Sequence, residues 1–175
     1  MSGGMILVDI STKASSVMTT KGDLATFSTS RVRKAVGVNS QLLFADSSNA
    51  DGNVWGNNTT SFIVPCSSET DDLETGDDKV QFRLPFQFEL TSISANVNTA
   101  PTGSAISVQV QEDGSDILST PITIDVSELS SLTASTPPVI SDSTLASNSI
   151  ISVDLDQIGS TNAGTGLKIN FIGYR

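Results

Sequence analysis

The densest set of groups able to do chemistry is a run of carboxylates: Glu69, Asp71, Asp72, Glu74, Asp77 and Asp78. Hard oxygen ligands packed this closely are what calcium binds. The spacing does not fit a calcium loop. Starting at Asp71, glycine falls correctly at Gly76, but Leu73 stands where the second ligand belongs and Phe82 where the bidentate glutamate does. The run therefore reads as a solvated acidic loop. A second pair, Asp154 and Asp156, alternates with Val153 and Leu155. That spacing puts both carboxylates on one outer strand face about 7 Å apart, as a glycoside-hydrolysing pair would be. Any half-buried strand turns its polar residues outward, so the pair by itself does not argue catalysis.

Nucleophilic chemistry has little to work with. The chain contains no histidine, which removes Ser-His-Asp and Cys-His catalysis, imidazole metal sites and the usual pH switch. Its one cysteine, Cys66, cannot close an intrachain disulfide and reads as a packed thiol. The expectation is a protein that is not an enzyme, with no catalytic residue, no cofactor and no metal. Nine basic against 19 acidic residues give a net charge of −10, which excludes nucleic acid and anionic membranes as partners. One Trp and one Tyr also leave no stacking platform for bases. Arg31, Arg33 and Lys34 form the one basic cluster, and with Lys21 they offer contacts to an acidic surface on a partner protein.

The elements that must position these groups are strands. Twenty-eight Ser and 19 Thr with a charged fraction of only 16% favour short strands and turns over helices. Period-two alternation marks Val80-Phe82-Leu84, Phe86-Phe88-Leu90, Ile93-Ala95-Val97, Ile106-Val108-Val110, Ile122-Ile124-Val126, Ile151-Val153-Leu155 and Leu167-Ile169-Phe171. Phe62–Pro65 and Val139–Ser141 are two shorter pieces, and a sandwich of about eight strands is expected. Leu129 and Leu132, three apart, leave room for one helical turn over 127–134. The predicted fold is all-β, an antiparallel jelly-roll-like sandwich preceded by an extended N-terminal arm.

Charge and patterning divide the chain into an arm, 1–61, and a sandwich domain, 62–175. The arm carries net +1 and the rest net −11. The arm's apolar pieces, such as Met5–Ile10, Leu42–Ala45 and Val54–Trp55, are too few to offset about 1–2 kcal/mol of backbone entropy per ordered residue. A partner, or copies of itself, must supply the missing surface, and a homotrimer is expected. Met5–Ile10 is too short and lacks the preceding cations of a signal peptide, and no run approaches the roughly 20 apolar residues of a membrane span.

Two stretches carry a resemblance. Thr19–Trp55 opens with TTKGDL, continues through Arg33, Val36-Gly37, Asn39, Gln41, Leu43 and Ala45-Asp46, and closes on Trp55. It resembles a segment recurrent in tailed-bacteriophage virion proteins. Residues 80–175, through FRLPFQFELTSISANVNTAPTGS, ILST, TPPVISD and DLDQIGS, resemble a C-terminal β-domain of phage fibre and surface proteins. The resemblance implies a virion-surface component made in the host cytoplasm, with phage capsid or tail proteins as partners. The first motif starts so close to residue 1 that no long fibre shaft is expected. The favoured expectation is a capsid decoration or cement protein, anchored by its arm through Lys21, Arg31, Arg33, Lys34 and Trp55. The alternative is a short tail or head fibre that binds a host receptor or surface glycan.

A chain whose acidic run fails the calcium spacing should not depend on metal for stability. Excess EDTA should move the thermal midpoint by less than about 1 °C. A site saturated at about 100 times its dissociation constant would instead contribute roughly 2.7 kcal/mol and shift it by several degrees.

Overall fold

A computed structural model of the chain describes residues 21–27, 31–38 and 41–175. The Met5–Ile10 piece lies outside them. The chain divides into two units, residues 1–58 and 59–175. In the first, β1 (Leu24–Phe27) pairs antiparallel with β2 (Arg31–Lys34), and β3 (Gln41–Ala45) with β4 (Asn53–Asn57). The described part of the arm thus consists of two hairpins, although the sequence there shows no sustained alternation. Local hydrogen bonds hold the second one. Between β3 and β4 the Asp46 N–H donates to the Gly52 carbonyl at 2.9 Å, and an Asp46 carboxylate oxygen accepts from the Ser48 N–H at 2.9 Å.

The second unit is all-β, built on antiparallel sheets, with one 3₁₀ turn (Ser131–Thr133) as its helical element. Its strands are β5 (Thr60–Pro65), β6 (Gly76–Arg83), β7 (Phe88–Asn96), β8 (Ile106–Glu112), β9 (Ser115–Asp116), β10 (Leu118–Thr120), β11 (Ile122–Ile124), β12 (Val139–Ile140), β13 (Thr144–Leu145), β14 (Ile150–Gln157) and β15 (Lys168–Tyr174). One sheet has the order β13-β7-β15-β5, the other β11-β8-β14-β6 with β9 on the end of β8, and β10 pairs with β12. The sheet pairs nest: β5 with β15, β6 with β14, β7 with β13 and β8 with β11. The unit begins at 59 rather than the expected 62 because Thr60 already pairs with Gly173 at the start of β5.

The core lies between the two sheets and follows the alternation. Ile106, Val108, Val110, Ile122, Ile124, Ile151, Val153, Ile169 and Phe171 are fully buried. Phe62 stacks on its cross-strand neighbour Phe171 with ring centroids 4.8 Å apart and meets Phe82 of the opposite sheet edge-on at 6.0 Å. Each such pair contributes about 0.5–1.5 kcal/mol beyond area burial. In β7 the inward residues switch phase, from Phe88 and Leu90 to Ile93 and Ala95. A bulge accounts for it: Ile172 opposes Ser92 and Gly173 opposes Leu90, so Thr91 is the extra residue, and its hydroxyl donates to the Ile172 carbonyl at 3.0 Å. The two apolar sets read from sequence are therefore one strand. Gly173 permits the close approach, since a Cβ there would lie 2.0 Å from the Glu89 carbonyl oxygen.

Some expectations change. Phe86 is 37% exposed in the turn before β7, with the Arg175 guanidinium 5.0 Å from its ring centre. Val126 is exposed because β11 ends at Ile124. The 3₁₀ turn forms where one helical turn was expected, capped by the Ser130 hydroxyl, which accepts from the Leu132 N–H at 3.2 Å. Gln109 and Asp154, on the face away from the core, are buried as well. The Gln109 amide donates to the Leu118 carbonyl at 3.0 Å.

Phe171→Ala should cost about 3–5 kcal/mol in denaturant unfolding, and the half-buried Phe82→Ala less. Equal losses at the two positions would contradict the packing described.

Candidate interaction surface

Alternation along β2 decides what the basic cluster does. Consecutive strand residues point to opposite faces, so Arg33 and Lys34 part company. Arg33 Nε donates to Asp23 at 2.5 Å, and the same carboxylate accepts from the Val36 N–H at 3.2 Å. Lys34 Nζ lies 3.1 Å from an Asp51 carboxylate oxygen and donates to the Asn53 carbonyl at 2.7 Å. Hydrogen bonding to Lys34 holds the Asp51 carboxyl below its ordinary range. Trp55 donates its indole N–H to the Ala35 carbonyl at 2.7 Å. Lys21 is exposed in a turn, and Arg31 stands opposite Phe27 at the start of β2. The orientation of the Arg31 side chain falls outside the description. Within the chain, Arg33 and Lys34 bind acids of the arm itself, and Trp55 ties β4 to the segment after β2.

A surface that the expected contact residues did not include is the apolar one. Among the residues before 59 whose burial is described, no apolar side chain is buried. Seven large ones are exposed there: Leu24, Val36, Val38, Leu42, Leu43, Phe44 and Val54. Pairing of Leu42 with Gly56 and Phe44 with Val54 puts Leu42, Phe44 and Val54 on one face of the β3–β4 hairpin. The signal in the sequence was only the two short apolar pieces. In the second unit Leu132 is 80% exposed, and Leu129 and Val139 are exposed as well. A groove of about 270 Å³ is lined by Ile93, Leu132, Pro137, Pro138 and Ile140 among others.

The acidic groups do not assemble into a site. Glu69 takes Lys168 Nζ at 2.8 Å and also accepts from the Asn98 amide, and these bonds hold its carboxyl below the usual range. Asp72 is bridged to Thr165. No three potential metal ligands converge among the described residues. Asp154 and Asp156 do not form an exposed pair. The former is 6% exposed, and its carboxylate accepts from the Asp78 N–H at 2.7 Å. There β6 bulges, because Val153 opposes Val80 while Leu155 opposes Gly76. Asp156 stays exposed, and partial burial together with Asp154, Asp116 and Asp77 pushes its pKa up. Burial likewise drives the Cys66 thiol up to about 12, so it stays protonated and inert. A depression of about 240 Å³ lined by Phe62, Phe82, Leu84, Pro85 and Phe86 is wholly apolar and has no group to orient a sugar hydroxyl.

No known protein family matches this chain, and neither does any curated protein or any solved structure.

The raised Asp156 pKa has a sign that can be tested. The folded state holds that proton above the ordinary 3.8, so ionisation costs stability as pH rises through the window above 3.8, and the full penalty applies at neutral pH. Asp156→Asn should therefore raise the thermal midpoint at pH 7. The gain should vanish near about pH 3, where both states are protonated.

Proposed function

We propose that the chain is a structural protein of a bacteriophage virion, a capsid decoration or cement protein whose first unit anchors it and whose acidic β-domain faces solvent. One observation carries this reading. Among the arm residues whose burial is described no apolar side chain is buried and seven large ones are exposed, while the buried apolar residues described belong to 59–175. A segment without a core is stable only where another surface covers it. The resemblance of Thr19–Trp55 to a recurrent virion segment supplies the setting. The nested strand pairing supports reading the second unit as a jelly roll, in which the first strand pairs with the last and each inner pair follows. The net charge of −11 over residues 62–175 suits a crowded solvent-facing surface, since like-charged domains resist clumping.

A second reading, a short tail or head fibre binding a host receptor, is favoured by the groove that the exposed Leu132 lines with Ile93, Pro137, Pro138 and Ile140. Copy number separates the two. Decoration requires a number comparable to that of the capsid subunits, and fibres a number set by the tail or the vertices.

Removing residues 1–58 should leave the cooperative unfolding of the β-domain in place and abolish incorporation into particles, measured by protein content of purified virions. Normal incorporation of the truncated chain would refute anchoring by the arm.

A further inference from the structure

We propose that Lys168, Asn98 and Glu69 form a self-modifying site, at which the Lys168 amine and the Asn98 side chain join in an isopeptide bond with loss of ammonia. The inference does not depend on the reading of the arm. Sheet order brings the three residues together. Lys168 opens β15 and stands in register with Asn96 at the end of β7 on one side and with Pro65 at the end of β5 on the other. Asn98 lies just beyond the first of these strand ends and Glu69 just beyond the second.

Each group is placed for one part of the reaction. Lys168 Nζ donates to a Glu69 carboxylate oxygen at 2.8 Å, to Asn98 Oδ1 at 3.2 Å and to the Gly166 carbonyl at 3.2 Å. The Asn98 amide nitrogen donates to the same Glu69 carboxylate oxygen and, at 3.1 Å, to the Glu69 backbone carbonyl. These contacts fix the amide with its oxygen toward the amine and its nitrogen toward the carboxylate. Gly166 completes the seat, since a Cβ there would lie 2.5 Å from Asn98 Cγ. An ion pair by itself would need only Lys168 and Glu69. The arrangement adds an electrophilic carbon beside the amine, and one carboxylate oxygen that touches both the nucleophile and the leaving nitrogen.

That oxygen can serve first as base and then as acid. Glu69 takes a proton from the Lys168 ammonium, the freed amine attacks Asn98 Cγ, and the Nζ–Cγ bond forms as the Cγ–Nδ2 bond breaks. Nζ gives up two protons in all, the Asn98 nitrogen leaves as ammonium, and nothing is oxidised or reduced. Holding the reacting groups about 3–3.5 Å apart turns a bimolecular encounter into an intramolecular step. The Lys168 side chain is only 24% exposed, which limits its freedom to swing away, while Glu69 is 60% exposed, so the ammonium escapes to solvent and the bond is permanent. The bond would tie β7 to β15 in a chain whose single cysteine can form no disulfide within it.

The test is intact-mass spectrometry of the purified full-length chain after incubation at mildly alkaline pH. The chain should be lighter than its sequence by one ammonia, and a protease digest should yield a branched peptide joining the segments around Asn98 and Lys168. Lys168→Arg keeps the cation and removes the nucleophile, Asn98→Ala removes the electrophile, and each should show its full mass. Glu69→Gln removes the proton relay and should slow the mass loss at least about 100-fold. The thermal transition of the β-domain checks that each variant is folded. Full mass for the unaltered chain would overturn the proposal. So would a loss of ammonia that persists in Lys168→Arg, as cyclisation of an asparagine onto its own backbone would, or a loss at unchanged rate in Glu69→Gln.

Discussion

Burial of apolar surface between two sheets is the interaction on which everything else in this molecule rests. Among the residues whose burial is described, the buried apolar side chains lie in 59–175, supplied in alternation by strands that pair first with last, second with second-last, and so inward. Phe62, Phe82, Phe88 and Phe171 concentrate that burial where β5, β6, β7 and β15 meet. Among the described residues there is no disulfide and no convergence of three potential metal ligands. The arm lies outside that arrangement. Its hairpins are held by backbone pairing, turn hydrogen bonds and two ion pairs, and seven large apolar side chains there are exposed.

Two bulges show how polar and apolar demands are reconciled. Thr91 shifts the phase of β7 so that one strand serves the core on both sides of the break, and Gly173 lets the partner strand come close enough to accommodate it. In β6 the bulge around Asp78 aims a backbone N–H at Asp154 and satisfies a carboxylate that the fold has covered. That leaves Asp156 among like charges, a local cost tolerated on an acidic surface.

The functional reading follows from the contrast between the two units more than from any site. A domain with a complete core and a strongly acidic surface can stand in solvent by itself. A segment whose described large apolar side chains are exposed is, in the proposed reading, the part that meets a partner. A virion component made of these two parts would use contact area rather than chemistry.

Much of this was legible in the residues. Alternation at Ile106-Val108-Val110, Ile151-Val153-Leu155 and Leu167-Ile169-Phe171 marks buried faces because side-chain direction in a strand depends only on position parity. The phase break between Leu90 and Ile93 was visible too, but it read as two strands, since a bulge and a turn interrupt parity alike. Thr144–Leu145 left no trace, because two residues carry no period. The ion pairing of the basic cluster was not legible for a different reason: neighbours in sequence point to opposite faces of a strand, and only the folded hairpins show Arg33 bound to Asp23 and Lys34 to Asp51. Asp154 and Asp156 share a parity, yet what covers one and not the other is a bulge contributed by residues some 76 positions earlier. Local pattern is a property of the chain and can be read from it, whereas burial of a polar group depends on what arrives from elsewhere. For this protein the sequence alone determined the fold class and the position of the core, and tertiary structure decided which charges pair and which apolar face is left open.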